Sequence, residues 1–336
     1  MFPFSTLPAE RRRSIESYLD RKSQHYYSNC YAPATRQSYG THRRSYVKFC
    51  NLLGYTPVPA TTQTIVRYVA FLSSSLSFNS VKQYTNIIRI MHREWNLPNP
   101  LDNNYQVASV LRGLKRDKGC CVSQKAPITP QDMLRLRGQL NLSLASDANV
   151  WAAALVLFFG VLRKGSVLPP ARQVTSAPRV LSRDDVFFHR WGVLIRIRYT
   201  KTIQFRERHV DIPLPRIPNH PLCPVRAITH AFQFVPRTAP DTPAFVMPLG
   251  PRPVCLTGRQ FVARVQECLA RAGADPSHIS GHSFRRGGAS WAYSIGVPTE
   301  TIRAMGDWKS HCYMRYITIN TKQRIDAVST MIERIP

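Results

Sequence analysis

The stretch GHSFRRGGAS at residues 281–290 carries a histidine and an arginine at helical spacing. His282 and Arg285 lie three residues apart, so one helical turn places both side chains on the same face. An imidazole and a guanidinium on one face can converge on a single anionic group, and a phosphate is the natural candidate. Trp308 and Tyr316 follow in the same C-terminal region.

The whole chain is strongly basic. Its 336 residues hold 46 Lys and Arg against 19 Asp and Glu, for a formal net charge of +27. Such a charge fits a solvated surface, a membrane surface or nucleic acid. The longest apolar run, residues 151–162, is far short of the ~20 residues that span a bilayer and predicts a buried core helix. The N-terminus lacks the order of a signal peptide, so we expect an intracellular protein with no membrane partner.

The eight cysteines show no pattern typical of a metal site. They contain no CxxC pair and no regular spacing with histidine. The sequence therefore predicts no bound metal and reduced, buried thiols. The residues are Cys30, Cys50, Cys120, Cys121, Cys223, Cys255, Cys268 and Cys312.

The apolar pattern predicts two domains. Residues 1–118 follow helical periodicity with short breaks, which fits four or five helices. Residues 119–127 lose this periodicity and predict an exposed linker. Residues 128–336 form the second domain, whose first helix is expected to start with Thr129 as its cap and Pro130 in its first turn.

A short β-structure is expected within the second domain. Residues 191–199 alternate between apolar and polar side chains, and residues 209–214 do so again after a polar connection at residues 200–208. This pair predicts a β-hairpin with Lys201 near its turn. The fold class is therefore mainly α with a small β-sheet or hairpin (α+β).

Taken singly, the polar candidates have ordinary structural explanations. Arg163 follows the apolar run and could be a structural ion-pair residue, because burying an unpaired guanidinium is costly. Lys201 could be a solvated hairpin lysine. His282 and Arg285 could be a helix cap and a surface charge, and Tyr316 could belong to the core.

The joint order of these residues resembles the tyrosine recombinase (integrase) family. An arginine, a hairpin lysine, a His-x-x-Arg pair, a tryptophan and a tyrosine follow one another in both. The segments that carry the resemblance are FGVLRKGSVL at 159–168, YTKT at 199–202, RERHVDIP at 206–213, GHSFRRGGAS at 281–290 and GDWKSHCYMRYI at 306–317. They look most similar to recombinases of eukaryotic mobile elements of the Crypton or DIRS type.

The resemblance implies an enzyme that breaks and rejoins DNA by reversible transesterification. Tyr316 would attack a DNA phosphodiester to give a 3′-phosphotyrosyl bond and a free 5′-hydroxyl, with no metal, no other cofactor and no ATP. A phenol with a pKa near ~10 is a poor nucleophile at neutral pH, so it needs a proton acceptor or a strongly cationic site.

The resemblance also assigns roles to the other residues. Arg163 and Arg285 would hold the non-bridging oxygens by charge-assisted hydrogen bonds that a lysine could not reproduce. His282 would assist proton transfer or bond the phosphate. Lys201 would protonate the departing 5′-oxygen, and Trp308 would pack the site.

Two departures from the family pattern concern single positions. The family often has an acidic residue three positions after the first arginine, where this chain has Ser166, so the buried partner of Arg163 stays open. In the family, the His/Trp position usually lies nine residues before the nucleophile, whereas Trp308 lies eight residues before Tyr316. Asp307 has the usual spacing, so either residue could fill this position.

The C-terminal segment holds a second tyrosine and an apolar stripe. Tyr313 is an alternative nucleophile, but Tyr316 is preferred because the Tyr-Ile ending matches the family. The residues after it form an apolar stripe on a short helix, which could dock within the chain or, as the resemblance implies, on a neighbouring protomer. The stripe consists of Ile325, Val328, Met331, Ile332 and Ile335.

The implied partner is double-stranded DNA, without a small-molecule substrate. The helical domain would be the core-binding domain and would form a C-shaped clamp around the duplex with the catalytic domain, as a homotetramer with a dimer on each site. The mobile-element likeness favours the nucleus. The expected DNA-binding residues are Arg36, Arg43, Arg44, Lys48, Lys82, Arg89 and Arg286.

Two other functions would fit the same pattern. One is a catalytically silent DNA-binding protein derived from a recombinase, although every expected catalytic residue type is present. The other is DNA relaxation in the manner of a type IB topoisomerase, which shares the chemistry but not the pairing of two sites.

Overall fold

The computed structural model describes residues 8–119, 125–170, 180–205, 207–236, 242–250, 253–319 and 321–333. The chain divides into two compact units, Met1–Val122 and Ser123–Pro336. Cys120, Cys121, Arg206, Ile335 and residues 120–124 of the expected linker lie outside the described residues.

The first unit contains five helices, within the range of four or five that the periodicity predicts. They are α1 (Ala9–Ser28), α2 (Pro33–Leu53), α3 (Thr62–Ser73), α4 (Phe78–Glu94) and α5 (Tyr105–Lys118). Their core is built from side chains such as Tyr46 on α2, Tyr68 on α3 and Ile88 on α4, each fully buried. Among the described residues of α1 none is buried, so this helix adds nothing to the core.

The second unit begins with the helices that the sequence predicts. Its helices are α6 (Pro130–Gln139), α7 (Ala145–Phe159), α8 (Lys164–Val167), α9 (Pro224–Gln233), α10 (Gly258–Arg271), α11 (Gly281–Ser294), α12 (Thr299–Met305) and α13 (Thr321–Glu333). The start of α6 is confirmed, because the Thr129 side chain accepts from the Asp132 N–H while the Asp132 carboxylate accepts from the Thr129 N–H. Pro130 occupies the first turn of the helix.

A three-stranded antiparallel sheet confirms the predicted hairpin and extends it. Strands β1 (Val186–His189), β2 (Gly192–Ile197) and β3 (Val210–Pro215) lie in the order β1-β2-β3. A separate pair is formed by β4 (Val246–Met247) and β5 (Val254–Cys255). Lys201 lies in a tight turn between Thr200 and Ile203, within the connection from β2 to β3.

Helix α7 is the central element of the second unit. Its residues from Asp147 to Phe158 are all buried, which confirms the predicted core helix. Helix α11 lies directly against it, because a Cβ at Gly288 would stand 2.0 Å from the Phe158 carbonyl oxygen. This backbone approach fixes the depth and rotation of α11, the helix that carries His282 and Arg285.

The described cysteines are free thiols, but not all are buried. Cys50, Cys223, Cys255 and Cys268 are buried, whereas Cys30 and Cys312 are exposed. The prediction of buried thiols is therefore wrong for those two, which lie beyond the end of α1 and in a surface turn. None of the described helices combines the length and apolarity needed to cross a bilayer.

Candidate active site

Arg285 is the centre of the candidate site. Its side chain is 1% exposed, and its guanidinium donates two hydrogen bonds of 2.6 Å, from Nη1 to the Val161 carbonyl and from Nη2 to the Gly306 carbonyl. Val161 follows the end of α7 and Gly306 caps the end of α12. Helix C-termini carry partial negative charge, so backbone dipoles stabilise this buried cation.

Two left-handed residues shape the turns that present these carbonyls. Val161 has a φ of 49°, and Asp307, next to Gly306, has a φ of 51°. A β-branched residue such as valine rarely adopts this conformation, because it crowds the side chain against the backbone. The local strain is therefore associated with the contact to Arg285, as is common at functional sites.

Trp308 and Tyr316 form an aromatic wall beside the Arg285 guanidinium. Its Cζ atom lies 3.8 Å from the Trp308 ring centroid and 5.3 Å from the Tyr316 ring centroid, and the two rings are 5.1 Å apart. Trp308 is 4% exposed, and its indole N–H finds no acceptor among the described residues. The cation–π geometry holds the guanidinium and the phenol in one cluster.

Arg163 faces the same region with an unpaired charge. It is half-buried at the N-terminus of α8, and within the described ranges its guanidinium makes no hydrogen bond or ion pair. The pKa of Arg285 is lowered first by burial and then by the positive charge of Arg163, so the two guanidiniums are close. The open question of a buried acidic partner is answered for the described residues: Arg163 is partly solvated and has none.

His282 lies at the second position of α11 and is exposed on one side. The pKa of its imidazole is lowered from 6.5, first by burial of part of the ring and then by the charges of Arg285, Lys164 and Arg163. The ring is therefore neutral at pH 7, and one of its nitrogens is free to accept a proton.

Lys164 is a cationic neighbour that the sequence interpretation missed. Its aliphatic stem runs through a gap between two helix starts, because a Cβ at Gly258 would meet its Cε at 2.9 Å and a Cβ at Gly281 would meet its Cδ at 2.6 Å. Its charge reaches His282. Its position next to Arg163 is the only signal in the sequence, and the two glycines lie about 100 residues further on.

Lys201 is exposed, and the structure does not give its side chain a hydrogen bond within the described part of the chain. Its loop is nevertheless anchored. Thr202, the next residue, donates from Oγ1 to the Asp307 Oδ2 over 3.0 Å, and Arg208 donates to the Asp307 Oδ1 over 2.6 Å. The Asp307 carboxylate therefore holds the hairpin connection, whereas the Trp308 ring lies against Arg285.

The two tyrosines of the C-terminal segment differ in access. Tyr313 is 2% exposed and packs 6.2 Å from the Trp308 ring, whereas Tyr316 is half-buried at the end of the 3₁₀ turn His311–Arg315. Ser290 fixes the backbone here, since its hydroxyl donates to the Tyr316 carbonyl and accepts from the Thr318 N–H. The geometry favours Tyr316 as the accessible phenol.

The expected DNA-binding residues occupy different environments. Arg286 is 8% exposed and donates to the Thr318 hydroxyl over 2.8 Å. In the first unit Arg43 pairs with Glu94, while Arg89 is half-buried. The remaining four residues are exposed, and their roles stay predictions. They are Arg36, Arg44 and Lys48 on α2 and Lys82 on α4.

Comparisons with known proteins show similarity in sequence and in fold. No family model matches the chain. The integrase/recombinase xerD homolog of Selenomonas ruminantium is 23% identical over 312 residues, which cover 90% of this chain and 86% of the relative.

Two solved structures have a similar fold. A lambda integrase fragment (residues 75–356), solved as a dimer bound to a COC′ core site, has a TM-score of 0.62 at 14% identity and covers 91% of this chain and 96% of its own. The Tn1549 transposon integrase (residues 82–397), in complex with circular intermediate DNA, has a TM-score of 0.59 at 11% identity and covers 91% and 97%. The chain is therefore similar in sequence to a curated recombinase and similar in fold to two integrases.

Proposed function

We propose that this protein cleaves and rejoins DNA strands in site-specific recombination or integration, with Tyr316 as the nucleophile. The observation that carries the proposal is the cluster in which the Tyr316 phenol and the Trp308 ring both lie against the buried Arg285 guanidinium. A phenol beside an uncompensated cation suits an attack on a phosphodiester, because the same cation stabilises the charge that develops on the phosphate.

The charge balance of the site favours an anionic substrate. Within the described residues no carboxylate forms an ion pair with Arg163 or Arg285, and backbone carbonyls satisfy Arg285 without cancelling its charge. Two of the five N–H groups of Arg285 are used by these carbonyls, which leaves donors for a phosphate. Together with Lys164 the two arginines can hold the non-bridging oxygens.

The proposed reaction is an exchange of one phosphoester for another. The Tyr316 Oη–phosphorus bond forms as the bond from phosphorus to the 5′-oxygen breaks, which gives a 3′-phosphotyrosyl link. The phenolic proton passes to the neutral imidazole of His282 or to water, and Lys201 gives a proton to the departing 5′-oxygen. The steps run backwards when a second 5′-hydroxyl attacks the link, which rejoins the strand.

The proposed partner is duplex DNA, bound by a dimer on each site and by a tetramer during exchange. The similar lambda and Tn1549 integrases were solved in complexes with DNA, and the lambda protein as a dimer, which supports the DNA partner and the dimer. The exposed apolar residues Ile325, Val328, Met331 and Ile332 of α13 suit docking on a neighbouring copy. A eukaryotic mobile element of the Crypton or DIRS type, acting in the nucleus, remains our prediction from the motifs alone.

The test is a covalent trap. Duplexes are first selected from a random-sequence pool with the full-chain protein and then nicked near the bound site, so that cleavage releases a short fragment and cannot be reversed. We expect a denaturation-resistant protein–DNA adduct on Tyr316, mapped by mass spectrometry. Tyr316→Phe should bind the same duplex and form no adduct, whereas Tyr313→Phe should still form it.

Three outcomes separate the candidate functions. An adduct that persists in Tyr316→Phe rejects this residue as the nucleophile. Specific binding without any adduct in the unsubstituted protein would indicate a silent DNA-binding protein. Relaxation of supercoiled plasmid without joined products from two sites would indicate a topoisomerase.

A further inference from the structure

Asp307 connects two elements that carry different parts of the site. Its carboxylate accepts from the Thr202 hydroxyl over 3.0 Å and from the Arg208 guanidinium over 2.6 Å, and its side chain is 15% exposed. Both donors belong to the connection between β2 and β3, which also carries Lys201. One side chain therefore attaches this connection at two points, one within the lysine's turn and one after it.

The backbone of Asp307 belongs to the Arg285 environment. The preceding carbonyl, of Gly306, accepts from Arg285, and the following ring, of Trp308, stacks on the same guanidinium. Asp307 lies between them in a left-handed conformation, and its own side chain contacts the hairpin connection. A displacement of the hairpin connection is thus resisted by the residues that hold Arg285.

We propose that Asp307 is a positioning residue that sets the Lys201 ammonium against the leaving 5′-oxygen. The inference rests on the proposed function and deepens it. The exposed lysine makes no side-chain hydrogen bond to the described residues, so its own contacts do not fix it. Thr202, its direct neighbour, is fixed by the carboxylate instead.

The same contacts explain why a carboxylate is tolerated beside a phosphate site. Asp307 occupies the position nine residues before Tyr316, but a bare negative charge there would repel the phosphate. Arg208 neutralises it through the 2.6 Å ion pair. The neutralised Asp307 carboxylate can therefore hold the loop of Lys201 without repelling the phosphate.

The predicted variant is Asp307→Gly, because glycine keeps the left-handed backbone while it removes both contacts. Cleavage of the nicked substrate should slow by about 10- to 100-fold, the effect expected when a catalytic group is misplaced by about 1 Å. Asp307→Asn, which keeps the backbone and one acceptor oxygen, should lie between this variant and the unsubstituted protein. Asp211→Ala is the matched control, since Asp211 pairs with Arg196 on the same hairpin, and its 3.7 Å contact with His209 lies at the end of the connection next to β3.

A substrate with sulfur in place of the bridging 5′-oxygen distinguishes positioning from folding. A thiolate leaves without a proton, because thiols have pKa values near ~8.5, so the substrate does not need Lys201. We expect Asp307→Gly and Lys201→Ala to recover on it together, to within about threefold of the unsubstituted protein, as loss of a proton donor requires.

The possible results are distinct. A defect in Asp307→Gly that remains on the sulfur substrate, while Lys201→Ala recovers, overturns the positioning role and leaves the proposed function intact. Unchanged cleavage by Asp307→Gly on the oxygen substrate also overturns it. No adduct from the unsubstituted protein on either substrate would instead overturn the proposed function itself.

Discussion

Substitution of Gly306 by alanine should move Trp308 and disable the site. A Cβ at this position would lie 1.8 Å from the Trp308 Cζ3 atom and 2.1 Å from its Cε3 atom, whereas carbon atoms normally approach to about 3.5 Å. The indole must therefore retreat by about 1.5 Å or more, away from its 3.8 Å contact with Arg285. The backbone at Gly306 is not left-handed, so only the clash is introduced.

Both stability and cleavage should respond to this shift. Overpacking of a closely packed core costs about 1–3 kcal/mol in the free energy of unfolding. A misplacement of this size at a reacting centre reduces the rate by about 100-fold. The assays are urea unfolding of the full chain and single-turnover adduct formation on the nicked duplex, with DNA binding measured in parallel and expected to persist.

A matched control and a second background make the reasoning refutable. Gly165→Ala, where the added Cβ meets nothing within 4 Å, should change stability by less than about 0.5 kcal/mol. In a Trp308→Ala background the clashing ring is gone, so Gly306→Ala should add little further loss. An equal loss of stability in both backgrounds, or cleavage at the unsubstituted rate by Gly306→Ala, would refute the argument.

Two further predictions concern charges. Arg264→Ala should lower the free energy of unfolding by about 3–5 kcal/mol, because it leaves the buried Asp147 carboxylate without its ion-pair partner. Asp147 is 2% exposed and accepts two hydrogen bonds of 2.8–2.9 Å from the Arg264 guanidinium. A loss below about 1 kcal/mol in urea unfolding would contradict this prediction. Cleavage should fall with acid only below pH 6.5, because the lowered pKa keeps His282 neutral above that pH. Lys164→Met removes a charge that lowers this pKa, so the acid limb of its pH–rate profile should move to higher pH. In Lys115→Met the acid limb should stay in place. The unfolded chain binds a proton at His282 more readily than the folded chain, because the folded state lowers the pKa of this residue. Protonation of His282 therefore lowers folding stability as the pH falls below 6.5.

Local sequence signals predicted much of the fold. The start of α6 was predictable because Thr129, Pro130 and Asp132 form a self-contained capping motif. Where neighbouring residues offer the same chemistry, the boundary is harder to predict: Thr61 and Thr62 both carry a hydroxyl at the start of α3, and it is the Thr61 hydroxyl that accepts from the Thr64 N–H. Local spacing cannot separate adjacent threonines.

Very short strands and non-local contacts escaped prediction. Strand β1 has only four residues, and β4 and β5 have two each, so neither length nor alternation marks them, although each pairs with a strand that is its neighbour in the chain. The site residues were identifiable by type and order. The carbonyls of Val161 and Gly306 were not, because any residue supplies a carbonyl and only the tertiary structure aims it.

The glycines at 258, 281 and 306 have a consequence for engineering. Because each glycine lacks a Cβ, another side chain occupies the volume beside it, the Lys164 stem at Gly258 and Gly281 and the Trp308 ring at Gly306. A transplant of the polar residues alone into a foreign framework would fail wherever a β-carbon already occupies one of those volumes. What must be copied is therefore partly an absence of atoms, which a search for reactive groups overlooks.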